Sequence, residues 1–284
     1  MTSITHKKTG EVLATVEAED LAGSDLREMN LSGAALAGAD LSGCRLDNAD
    51  LTDADLQGAR LDGASLVGAH LDGANLQGAS LVGARFMGLH QHTPTSMDRA
   101  NLREADLSRA DLRQVMVDEC DLRGAVLDRA DMQGTHFCHS NLQGVRAWGA
   151  IFIGANLRNV NLRGADLRDS HLNDANLVGA DLSESDLGSR RPDGFTVINR
   201  ANLQGAVLNR VNLRNIQAER VNFRHADLTG SDFSRGVIGG SNMRSADVTD
   251  VDFAGVELAT VEMQFANFSK ARNADIPVYK KNLR

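Results

Sequence analysis

The stretch His136-Phe137-Cys138-His139 brings three nitrogen or sulfur donors together. With His90 and His92 it would offer the imidazole and thiolate ligands that zinc takes in tetrahedral sites. The spacing matches no zinc framework, and surface His and Cys without such spacing are ordinarily incidental. We therefore assign no metal and keep His136, Cys138 and His139 as the weaker alternative. Cys44 and Cys120 fall at positions reserved for small inward side chains, where a thiol acts as an apolar filler. No phosphate-binding G-x-x-x-x-G-K-S/T loop, G-x-S-x-G elbow or H-E-x-x-H helix is present. Gly236-x-x-Gly239-Gly240 is too loose for a dinucleotide site. The expectation is a chain without catalytic residues or cofactor, which is not an enzyme.

What holds these residues is a repeat. From Val16 a large apolar residue returns every fifth position to Phe86, restarts at Met97 and runs to Leu187, then restarts at Ile198 and runs to Phe268. Of these 49 centres, 47 are large and apolar, Leu filling 31. A small or β-branched residue, usually Ala, sits two positions before each centre, and Asp or Asn often sits immediately before it. A period of five is neither the 3.6 of a helix nor the 2 of a long strand. The Ala-x-Leu pair is strand alternation lasting one step. Short strands broken by regular turns describe an all-β solenoid, whose stacked coils pair their backbones at roughly 4.8 Å.

The segments Ala39–Gly43 (ADLSG), Ala74–Gly78 (ANLQG), Ala105–Arg109 (ADLSR) and Ala155–Asn159 (ANLRN) resemble the signature of pentapeptide-repeat proteins over about residues 14 to 270. The resemblance implies a right-handed quadrilateral β-helix with four repeats per coil, hence about twelve coils. Three parts follow: an N-terminal cap over 1–15, one β-helix over 16–268, and a C-terminal cap or tail over 269–284. Ile4, Val12 and Leu13 suit a short hairpin in the first cap. Ile276, Val278 and Tyr279 could close the last coil; alternatively two copies join end to end through the C-terminal coils. The C-terminal block, with Phe223, Phe233, Phe253 and Phe268 as centres and Val211 and Ile216 among its inward small sites, calls for a wider or differently turned coil.

Both register breaks span 11 residues where 5 are expected, so each inserts six. They form loops at 87–96 and 188–197, each with a proline. At four repeats per coil they leave adjacent corners about five coils, or roughly 23 Å, apart. Members that protect DNA gyrase from quinolones are similar in being rods interrupted by two loops. That makes His90, His92, Pro94, Arg190, Arg191, Asp193 and Phe195 the candidate partner-binding residues, although solenoid surfaces tolerate insertions anywhere.

The chain carries a formal net charge of −8. It is −8 over 16–86, −5 over 97–187, −1 over 198–268 and +4 over the last 16 residues. An acidic rod repels nucleic acid, so no direct nucleic-acid partner is expected. It can instead imitate duplex DNA before a basic groove, as the resemblance implies for a protein partner such as DNA gyrase or topoisomerase IV. Asp47, Asp50, Asp53, Asp55, Asp62 and Asp72 are the candidate acidic face. The bland alternative is that Asp before a centre belongs to the repeat and solubilises it, leaving a generic scaffold or accessory protein of another partner. With no apolar N-terminal leader or membrane-length apolar run, a cytoplasmic address is expected and no membrane partner.

Overall fold

The structure, a computed structural model, describes residues 1–87, 94–189 and 194–280. It divides into two compact units, Met1–Val145 and Arg146–Arg284.

The first unit opens with an antiparallel hairpin of β1 (Thr2–Thr5) and β2 (Val12–Val16), pairing Thr2 with Val16 and Ile4 with Ala14. Val16 thus ends a strand of the hairpin and does not centre a repeat. The hairpin covers one edge of the first coil: the Ala35 N–H donates to the Thr5 carbonyl and the Lys7 N–H to the Gly33 carbonyl, both at 2.8 Å. From there parallel bridges join one residue of each repeat to the residue 20 positions on, as in Asp25–Arg45–Ser65–Arg85 and Asn30–Asp50–His70. Bridges recur every five residues, so each coil has four sides, and Leu26 through Phe86 and Met97 through Leu142 point inward and are buried.

One repeat, Asp50-Leu51-Thr52-Asp53-Ala54, accounts for all five of its backbone donors. The Asp50 N–H reaches back to the Met29 carbonyl (2.9 Å), and the Leu51 and Asp53 N–H groups reach forward to His70 (2.7 Å) and Asp72 (2.9 Å). The Ala54 N–H closes the turn on Leu51 (2.9 Å). That leaves Thr52, whose N–H donates to Asp50 Oδ1 (2.9 Å). Asp or Asn before the centre is therefore a cap for the one N–H that the ladder misses, since a buried or half-buried donor must find a partner. The third turn residue has positive φ, as at Asp53 (56°). Glycine takes about half of such sites among the described residues. At Gly73 (φ 67°) a side chain would also strike Asp53 Oδ1 of the coil below.

The second unit stacks in the same way, with bridges such as Asn156–Asn176 and Asn202–Asn222–Asn242. Its larger inward residues are absorbed by pairing large with small. Ile216 lies under Gly236, where a Cβ would come within 2.9 Å of the Phe233 carbonyl and 3.1 Å of Ile216 Cγ2. Phe223, Phe233, Phe253 and Phe268 form a run of aromatic contacts with ring centroids 5.7–5.8 Å apart. The last coil is met by a single 3-10 turn, Val278–Lys280. Tyr279 Oη donates to the Ala259 carbonyl (3.0 Å), and Lys280 Nζ to those of Leu258 (3.1 Å) and Val261 (2.6 Å). Val278, expected to cover this end, is 78% exposed. The open edge presents carbonyls, so donors close it and an apolar side chain does not.

Candidate partner-binding surface

Each insertion interrupts one unit once, and the bridges show where. Before and after the insertions, bridged residues are 20 apart. Across the first, His70 pairs with Ser96 and Arg85 with Asp111; across the second, His171 pairs with Val197 and Asp186 with Asn212, all 26 apart. Each stack resumes without a change of side. The loop bounds 87–96 and 188–197 are accordingly too wide: Ser96 and Val197 already belong to ladders.

Re-entry uses the same device twice. In an undisturbed coil the Gly63 N–H donates to the carbonyl of Val82. Gly68 would look to Met87, where the chain departs. Its N–H donates instead to the buried Thr95 hydroxyl (2.9 Å), which donates to the Phe86 carbonyl (2.6 Å). Thr196, also fully buried, lies 3.3 Å from the Leu167 carbonyl and donates to it. Beside these anchors Pro94 is exposed and Phe195 is 46% exposed. His90, His92, Arg190, Arg191 and Asp193 lie outside the described residues.

The six carboxylates do not share one side. Asp50 and Asp55 stand on adjacent ladders, Asp47, Asp62 and Asp72 occupy turns, and Asp53 is the positive-φ turn residue. Five of them hold backbone. Asp50 and Asp55 cap the N–H two residues on within their own repeats, Asp55 at 3.3 Å to Gln57. Asp47, Asp62 and Asp72 reach to the next coil and accept the N–H groups of Val67 (3.3 Å), Val82 (3.0 Å) and Asp98 (2.9 Å). These are repeats in which Ser65, Ser80 or Ser96 stands where the capping Asp or Asn would be. The relay goes on: Asp98 caps Asp118 (2.9 Å) and Asp118 caps Cys138 (2.5 Å), above Met116 and His136. Sequence reading missed this second form because its signal is a pairing at 20-residue separation.

Asp72, Asp98 and Asp118 consequently form a column at one corner of the first unit and, with Ser96, Arg99 and Glu119, line a shallow cavity of 530 Å³. Burial, with the neighbouring Asp118 and Asp72 charges, pushes the Asp98 carboxyl above its ordinary value. His136 sits on the ladder that the first loop re-enters, two coils beyond Ser96. Cys138 is half-buried and His139 is exposed with φ 60°. Among the described residues, no three His, Cys, Asp or Glu side chains gather as a metal would require. Cys44 and Cys120 are buried and donate to the carbonyls of Leu21 (2.7 Å) and Met97 (2.8 Å). Burial raises both thiols, Cys120 to about 12, which keeps them protonated and unreactive. They are donors as well as fillers. Among the described residues, no helix is long and apolar enough to cross a membrane.

The family profile described as "Pentapeptide repeats" matches the chain in eight copies, over 20–53, 49–88, 95–116, 105–144, 150–188 and 198–235. Such proteins are right-handed β-helix solenoids. Among solved structures the chain is similar to a trypsin-treated variant of QnrB1, a plasmid-mediated fluoroquinolone resistance protein. Identity is 16%, with 78% of this chain and 89% of that chain covered at TM-score 0.54. It is also similar to HetL, a pentapeptide repeat protein involved in heterocyst differentiation regulation from the cyanobacterium Nostoc sp. strain PCC 7120, at 28% identity over 81% of this chain and 89% of that one, TM-score 0.29. The first likeness speaks for the fold alone, and the second adds nothing to it. No curated protein sequence matches the chain.

Proposed function

The chain belongs to the pentapeptide-repeat family, and from that premise we propose that it is a non-enzymatic, cytoplasmic protein-binding solenoid. Its proposed partner is a type II topoisomerase, DNA gyrase or topoisomerase IV, which it guards from poisons by imitating DNA. The observation that carries the reading is the charge of the first unit. Residues 1–145 hold 22 Asp and Glu against 12 Lys and Arg, net −10. Spread over about six coils of roughly 4.8 Å, this is one net negative charge per about 3 Å. Duplex DNA carries one per about 1.7 Å. The density is of the right order for a basic groove that accepts DNA. The fold shared with QnrB1, a fluoroquinolone resistance protein, supports the choice of partner. The insertions ending at Thr95 and Thr196 supply contacts beside the stack.

Supercoiling by purified gyrase in the presence of a quinolone tests this. Restored supercoiling on titration of the protein is expected. No change in quinolone sensitivity at micromolar protein would remove the topoisomerase from the reading. One observation favours a second reading, an interaction scaffold or accessory protein for a different partner: five of the six candidate carboxylates have a backbone-capping role that needs no ligand.

A further inference from the structure

The corner that carries the Asp column in the first unit has a counterpart of opposite sign in the second. There Arg224 and Arg244 follow the ladder residues Asn222 and Asn242 by two positions, one coil apart. Both are exposed. Arg220 stands at the other end of the same side, two positions before Asn222, and is also exposed. None of the three has a carboxylate within ion-pair distance among the described residues, unlike Arg200 with Asp174 (2.6 Å) or Arg214 with Asp232 (3.6 Å). The Asn side chains between them are already satisfied. Asn222 Nδ2 donates to Asn202 Oδ1 (2.9 Å), and Asn222 and Asn242 accept the N–H groups of Arg224 (3.2 Å) and Arg244 (3.0 Å). The guanidinium groups are left without an ion-pair partner on this side, whose next ladder residue, the exposed Glu262, accepts from Asn242 Nδ2 (2.9 Å).

Asp98 and Asp118 have the same one-coil spacing and the reverse charge. Each uses Oδ1 for the backbone of the next coil, and both line the shallow cavity. No cation comes within ion-pair distance of either among the described residues; Arg99, which lines the same cavity, offsets the Asp98 charge only from farther away. Like charges stacked at roughly 4.8 Å repel, and an opposed column at equal spacing relieves both stacks at once.

We propose that the Arg224–Arg244 column of one copy docks against the Asp98–Asp118 column of a second copy, a side-by-side contact between the second unit of one chain and the first unit of another. This goes beyond the topoisomerase reading and does not depend on it. The charges of the units agree: the first is −10, and the second, with 18 Lys and Arg against 16 Asp and Glu, is +2. Exposed ion pairs are individually weak and screened by salt, so the association is weak and ionic-strength dependent.

Sedimentation velocity of the full chain at about 0.02 M and about 0.5 M ionic strength tests it. The native protein should associate at low salt and dissociate at high salt. Arg224→Glu with Arg244→Glu should weaken association at least about tenfold. Asp98→Asn with Asp118→Asn should do the same, while keeping an amide oxygen for each backbone cap. The decisive arm is an equimolar mixture. The first variant retains the Asp column and the second the Arg column, so the mixture should associate where neither variant does alone. A native chain that stays monomeric at low salt overturns the proposal. So does association that persists in both variants and vanishes in Phe265→Arg, which would be pairing through the last coil, where Phe265 is 68% exposed.

Discussion

Asp50 and Asp62 cap the same kind of N–H from different places, one within its own repeat and the other from the coil before. Asp62→Ala should cost about 1 kcal/mol in urea unfolding, because the Val82 N–H loses its acceptor, and Asp62→Asn should cost clearly less. Equal losses in the two variants would mean that charge, not capping, is what Asp62 supplies. The thiols give a second residue-scale test. With Cys120 at about 12 and Cys44 raised by the same burial, both remain thiols at pH 8, and a thiolate is the reactive form. A disulfide reagent should label at most Cys138 in the folded protein at pH 8, and all three cysteines after denaturation; rapid native labelling of Cys120 would contradict its burial. The repeat's preference for Asp or Asn was legible in the sequence as a frequency. Its reason was not, since a cap is a matter of which N–H lacks a partner. The relayed form, Asp47 serving Val67 across 20 residues, becomes visible only once the coil length is known.

At the scale of the element, the Thr95 hydroxyl takes the Gly68 N–H that the next coil would otherwise accept, at the point where the first insertion leaves. Thr95→Val keeps the shape and removes the hydroxyl, so a buried donor at Gly68 and an acceptor at Phe86 go unmatched. We expect a loss of about 1–3 kcal/mol in denaturant stability, largely recovered by Thr95→Ser. A Thr95→Val protein as stable as the native one would show that the re-entry is held otherwise. Removing residues 88–93 restores the five-residue register between Phe86 and Met97, and the deletion should keep its β circular dichroism and cooperative melting. The insertion lengths were legible because a period of five leaves no freedom in counting. The ends were not. Val16 keeps the period yet belongs to β2, and Val278 is apolar yet exposed, because hairpin pairing and an edge of free carbonyls outrank apolar pattern at a terminus.

Over the whole molecule, each unit is a stack in which every coil leans only on its neighbours, so damage should be local but severe. Leu122 is 1% exposed. Leu122→Asp buries a carboxyl without a partner and should abolish the cooperative thermal transition of the first unit, since an unpaired buried carboxyl costs several kcal/mol even once it is protonated and neutral. The acidity of that unit was plain in the sequence, whereas its distribution was not: Asp47, Asp50, Asp55 and Asp62 spread around the stack because capping places them. The proposed imitation of DNA therefore rests on the density of charge together with the inserted loops, and the loops separate that proposal from a plain scaffold. The direct test is quinolone-poisoned gyrase supercoiling with the native protein beside the 88–93 deletion, both shown to be folded. The native chain should restore supercoiling and the folded deletion should not. Failure of the native chain to protect, or undiminished protection by the deletion, would contradict the proposal.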